Sequence, residues 1–223
     1  MRDKFKELAR LVAMLSNPNV DSTLITSLVD NDSVITSIDV ALSTFNSMQA
    51  VRFIMEYNSY NEESVSVSRT INKYLGSGLY SNPGYFATEV VGLDIINDNS
   101  NPLHQFVIDV LAENDTVTRG VNWLVYLSKN KPYRFHNMET GVLMLEKIIL
   151  GNENKIFLIK PNQLKFFIGL INNAITTGDS TKLIAYVRRH LTKVTKAECD
   201  SSAVMSTIYE LIHEKNKTVQ YFN

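Results

Sequence analysis

Cysteine is almost missing from this sequence. Cys199 is the only one in 223 residues, which excludes an internal disulfide and any cysteine-cluster zinc site. Long apolar runs are missing too. The longest candidate, Val142–Leu150, is broken by Glu146 and Lys147, well short of the ~20 residues that span a bilayer, so no membrane partner is expected. The opening MRDKFKELARL interleaves charge with apolar residues and lacks the uninterrupted core of a secretory signal. A cytoplasmic setting is expected, or host cytoplasm or virion if the chain is viral. The Asn, Ile and Lys enrichment suits an AT-rich coding genome such as that of many phages.

Signatures of chemistry are equally scarce. His104, His136, His190 and His213 are scattered, with no second histidine three or four residues from any of them, so a helical zinc pair is absent and no metal site is expected. His104 and Asp109 share a predicted helix at a spacing that brings them together poorly. Cys199 and His213 make a nucleophile and base only in principle, because no motif surrounds either. Glu62 and Glu63 stand at a predicted helix start, where capping accounts for them. Gly76-Ser77-Gly78 lacks the Gly-Lys-Ser/Thr ending of a phosphate loop, and there is no nucleophile elbow, kinase set or dinucleotide fingerprint. Three glycosylation triplets, at Asn31, Asn114 and Asn216, are about what chance supplies in so Asn-rich a chain. No cofactor is expected, and no enzyme.

What is present is helical periodicity. Residues 3–15 place Phe5, Leu8, Leu11, Val12 and Leu15 at three- and four-residue spacings. A short helix carrying Leu24, Leu28 and Val29 follows a cap at Asp21 or Ser22. No Gly or Pro interrupts residues 33–57, which predicts one long helix with Val34, Ile38, Ala41, Phe45, Met48, Arg52 and Met55 along its inner face and Ile35, Leu42 and Val51 widening it. A helix over about 62–75 comes next. Gly76–Gly84 is the strongest break, a hinge between subdomains 1–75 and 85–223 or a surface loop within a single domain. Residues 85–96 read as helix or buried strand. Asn101 and Pro102 begin a helix with Leu103, Phe106, Val107, Val110 and Leu111 inward, and another spans 116–128. Helix 138–150, apolar nearly all round, should be the buried centre of the second half. Ile156–Ile159 reads as a strand or extended linker, followed by helices 162–176, 180–194 and 202–214. The expected fold is an irregular all-α bundle of about ten helices with little or no β, and no repeat period.

The charges segregate. Residues 1–118 carry seven Lys/Arg and fifteen Asp/Glu, whereas the basic block 119–197 carries thirteen against four. Within it, Lys155–Lys196 holds eight Lys/Arg and one acid, Asp179. On the predicted helix 180–194, Lys182, Arg189, Lys193 and Lys196 recur as a stripe, with Arg188 beside it. A second feature is the loop Lys129–His136, where Lys129, Lys131 and Arg134 alternate with Tyr133 and Phe135. Rings for stacking bases and cations for phosphates are the combination that holds single-stranded nucleic acid.

The pattern predicts a non-enzymatic accessory protein whose basic surface, Lys129, Lys131, Tyr133, Arg134, Lys182, Arg188, Arg189, Lys193 and Lys196, binds nucleic acid in replication, transcription or packaging. The alternative is a structural or adaptor subunit of a larger assembly such as a virion, in which the basic block meets an acidic protein surface or a second copy of the chain. A solvated or self-paired surface and an enzyme with an unfamiliar site are the other readings open.

Overall fold

The centre of the fold is the helix α7, Asn137–Glu153, in which every side chain from Thr140 to Leu150 is buried. A stretch apolar on all sides must be surrounded, and α7 is packed against α6, Thr116–Asn130, along its length. Two glycines make that packing close. A Cβ at Gly120 would lie 2.6 Å from Leu145, and one at Gly141 would lie 2.9 Å from the Leu124 backbone. Each glycine thus receives the leucine opposite. Trp123, fully buried, fills the core beside them.

The structure, a computed structural model, describes residues 4–30, 32, 34–56, 63–87 and 102–195. Among these are nine α-helices, one 3₁₀ turn and a two-stranded sheet, so the all-α expectation holds. The remaining elements are α1 (Lys4–Ser16), α2 (Ser22–Asp30), α3 (Ile38–Glu56), α4 (Val65–Gly76), α5 (Pro102–Leu111), β1 (Lys155–Phe157), the 3₁₀ turn Pro161–Gln163, α8 (Leu164–Thr177), α9 (Thr181–Arg189) and β2 (Leu191–Lys193). Residues 88–96 and the predicted helix 202–214 lie outside the described residues. The described residues up to Thr192 belong to one compact unit.

Four helices, α1, α3, α4 and α6, pack on α7. The predicted inner face of α3 is corrected by the structure. Ile38 is exposed and Phe45 is 37% exposed, while the buried face is Ser43, Thr44, Asn46, Ser47, Ala50, Val51 and Ile54. Small polar residues reach the core here because their hydrogen bonds are met locally. Thr44 Oγ1 donates to Val40 O at 2.8 Å and Ser47 Oγ to Ser43 O at 2.9 Å. Asn46 Nδ2 donates to Leu75 O and Ser77 O, at 3.1 and 2.7 Å, closing the C-terminal end of α4. The helix also starts later than predicted, with Ser37 Oγ accepting from Val40 N.

Helix α9 is shorter than predicted. It stops at Arg189, and Leu191–Lys193 is extended and pairs with β1. The long basic stripe is therefore not one helix face: Lys182 and Arg189 stand on α9, Lys193 is in a strand, and Lys196 lies outside the described residues.

Candidate active site

The connection from α6 to α7 is tightly held. Lys131 and His136, at its two ends, both adopt left-handed backbone conformations, φ 47° and 54°. Between them Pro132 O accepts from Ala87 N at 2.7 Å, and Tyr133 forms an isolated antiparallel bridge with Phe86, their rings stacked 5.3 Å apart. Asn137 then locks the turn, its Oδ1 accepting from Tyr133 N at 2.9 Å and its Nδ2 donating to Tyr133 O at 2.8 Å. Seventeen residues of α7 follow, so the loop sits at the positive end of a long helix dipole.

Asn72 of α4 ties three segments together with one side chain. Its Nδ2 donates to Phe135 O at 2.8 Å and Thr140 Oγ1 at 3.0 Å, and its Oδ1 accepts from Gly84 N at 3.0 Å. That brings the Gly76–Gly84 loop against the head of α7. Gly84 is left-handed at φ 83°, and a Cβ there would meet Arg69 O at 2.9 Å, so the residue must be glycine for the loop to lie on α4. Where the two loops meet, Tyr80 stacks on Phe135 at 3.9 Å, with the rings 12° apart. His136 lies beneath, its Nδ1 3.3 Å from Glu139 Oε1 and its Nε2 buried without a hydrogen bond. No water-sized space remains in this gap.

Beside it opens a cleft of about 530 Å³ between α4 and α5. Arg69, Lys73 and His104 line it together with Ser64 and Tyr85, and among the described residues no acid does. Cleft and gap share Pro83, Gly84 and Tyr85 and so form one surface. The Arg69 guanidinium lies 4.9 Å from the Phe86 ring centre and 5.8 Å from that of Tyr85. Ser64, whose Oγ accepts from Val67 N at 3.2 Å, caps α4 at the edge of the cleft. The preceding Glu63 is buried and 3.0 Å from Arg119 of α6. Burial pushes the Glu63 carboxyl up, and Arg119 and Lys147 oppose that. This pairing fixes the start of α4 to the α6–α7 pair.

The sequence-predicted site residues do not form one surface, although Lys182 and Arg189 share α9. Tyr133 is 1% exposed and hydrogen-bonded through its hydroxyl to Ser68; a ring so placed cannot stack on a base. Lys129, Lys131 and Arg134 are exposed but diverge. Arg134 faces the closed gap, whereas Lys129 lines a different groove, against α5. Arg188 of α9 donates to Asp115, the N-cap of α6, at 2.7 Å. The Asp115 carboxyl is held down at about 2, chiefly by the Thr118 hydroxyl, with help from the Thr118 amide and Arg188. Sequence reasoning missed Asn72, Arg69, Lys73, Tyr80 and Tyr85. The i, i+4 spacing of Arg69 and Lys73 beside a glycine-rich loop was the only signal present for them. Among the described residues no group of three or more His, Cys, Asp and Glu is placed to hold a metal ion, and no helix is long and apolar enough to cross a membrane.

No family model matches the sequence, and no curated protein matches it. Solved structures do. A segment of Fic-1 from C. elegans superposes with a TM-score of 0.69 at 15% identity, over 98% of this chain and 65% of that one. A Fic domain containing signaling protein from Bacteroides thetaiotaomicron gives 0.65 at 12% identity, over 84% of this chain and 85% of its own. A Fic family protein from Desulfovibrio desulfuricans gives 0.58 at 12% identity, over 96% and 66%. This chain spans less than two thirds of the Fic-1 segment. At these identities the likeness shows the fold, and the fold is Fic-like. That likeness overturns the expected non-enzymatic nucleic-acid accessory protein, and with it the assembly-subunit and phage-like readings. The basic block is not one surface, with Arg188 paired to Asp115 and Lys129 in a separate groove, and the cleft is built from α4 and α5, outside that block.

Proposed function

We propose that this chain is a nucleotide-dependent transferase that moves AMP onto a hydroxyl-bearing acceptor. The observation that carries the reading is the cleft of about 530 Å³ lined by Arg69, Lys73 and His104, continuous with the head of α7 in a Fic-like fold. Its volume falls in the range of small-molecule sites. Cations and a helix N-terminus favour phosphates, and the Tyr85 ring offers a face to a base. In the reaction the acceptor oxygen bonds to the α-phosphorus, the bond to the β-phosphate bridging oxygen breaks, and pyrophosphate leaves. His136, steered by Glu139, is the group we assign to take the acceptor's proton. Reaching it requires Tyr80 and Phe135 to part. A reducing cytoplasm, where nucleoside triphosphates are plentiful, is the setting we assign.

The test uses ATP labelled on the α-phosphate, with the purified chain and a lysate as acceptor source. Label transfer is expected, falling at least tenfold in Lys73→Gln. Absence of both label transfer and ATP-dependent thermal stabilisation would overturn the reading.

A further inference from the structure

The face shared by α8 and α9 carries a second, unrelated feature. Phe166 of α8 is 60% exposed, and among the described residues its one ring contact is edge-on with Tyr186 of α9, at 5.4 Å. Lys182 and Arg189 stand four residues before and three after Tyr186, so all three share one side of α9. Lys160 and Lys165 flank Gln163 in sequence, and Gln163 reaches His190, just past the end of α9, at 3.3 Å. Lys160, Lys165, Lys182 and Arg189 are all exposed. Residues 160–189 contain five Lys/Arg against the single acid Asp179. Only Arg188 among them is in a salt bridge with a described residue, Asp115.

We propose that this face docks an acidic polypeptide segment carrying an apolar residue that packs on Phe166. An exposed large ring bordered by Lys and Arg is the chemistry of an interface centre with a charged rim, and the charge of the face selects an acidic partner. Nucleic acid is less well served. Tyr133 is in the core, Phe135 is stacked on Tyr80, and the cationic helix ends at Arg189, leaving one ring and no extended phosphate track. The inference does not depend on the transferase reading, since it is read by binding alone.

The test measures anisotropy of a fluorescent Glu–Tyr random copolymer and, in parallel, of a single-stranded oligonucleotide of equal charge. The variants are Phe166→Ala and Lys182→Glu/Arg189→Glu. All three substitutions are at exposed positions, and unchanged melting temperatures confirm folding. The copolymer is expected to bind about tenfold more weakly at 200 than at 50 mM salt, as screening requires. The double reversal is expected to weaken it by tenfold or more. Phe166→Ala should weaken it about fivefold at an unchanged salt slope, since the ring carries no charge. No copolymer binding, equal binding by the variants, or tighter oligonucleotide binding lost in the same variants would each overturn the proposal. So would a salt-sensitive dimer of the chain alone that the double reversal dissociates, because the face would then belong to a second copy.

Discussion

Helices α7 and α3 are both long, and both lie in the core, yet they are buried by opposite means. Helix α7 is enclosed by large aliphatic side chains, with Gly141 admitting α6. Helix α3 turns Ser43, Thr44, Asn46 and Ser47 inward and leaves Phe45 partly outside. The contrast shows that burial requires satisfied polar groups and matching shape rather than hydropathy as such. One packs on apolar volume, the other partly on side-chain-to-backbone hydrogen bonds.

The largest effect is expected where α7 depends on having no side chain. A Cβ at residue 141 would stand 2.9 Å from the Leu124 backbone and 3.1 Å from its Cδ1, and backbone cannot move aside as a flexible side-chain end can. Gly141→Val should therefore destabilise by about 3 kcal/mol or more, read as the shift in urea midpoint. A loss below about 1 kcal/mol would mean the α6–α7 pair is looser than its geometry.

The next effect comes from the acid that α7 carries into the core. Glu146 is fully buried, its Oε2 accepting from Phe157 N at 3.0 Å. Burial pushes its carboxyl up to about 8 from 4.5, with the Phe157 amide opposing. The folded state thus holds this proton more tightly than the unfolded state. Its contribution is fully present below about pH 4.5 and is lost as pH rises through about 8, a difference of up to a few kcal/mol. Glu146→Gln should flatten that decline, so that the variant gains on the parent between pH 5.5 and 8.5. Parallel stability–pH curves for the two proteins would remove Glu146 as the cause.

These two helices also mark what was legible in the sequence. The α7 core, the all-α class and most helix positions follow from periodicity, because large aliphatic residues are buried wherever they recur on one side. The face of α3 does not follow. Four of its buried residues, Ser43, Thr44, Asn46 and Ser47, rank as polar, and Asn46 meets Leu75 O and Ser77 O, 29 and 31 residues away. The candidate site was hidden for the same reason. Asn72 joins Phe135, Thr140 and Gly84 across long sequence separations, and an isolated asparagine has no periodicity to read. The charge block misled because all its cations were taken for one continuous surface. Arg188 is paired with Asp115 and Lys129 faces away from Arg134.

The smallest effects divide the two accounts of α3. If its inner face is the one observed, Asn46→Ala leaves buried carbonyls at the end of α4 short of a donor, at a cost of about 2 kcal/mol. Phe45→Ser, at a position 37% exposed, should cost at most about 1 kcal/mol, since much of the ring already faces water. Had hydropathy chosen the face, the order would be reversed, with the phenylalanine dominating by about 3 kcal/mol or more as buried aromatics do. Urea melts of the two variants decide it by rank alone. Ser47→Ala gives a finer reading: its hydroxyl is bonded within its own helix, so removing donor and group together should be nearly neutral. A large loss there would show that the Ser47 hydroxyl holds more of the α3 packing than its one intrahelical bond accounts for.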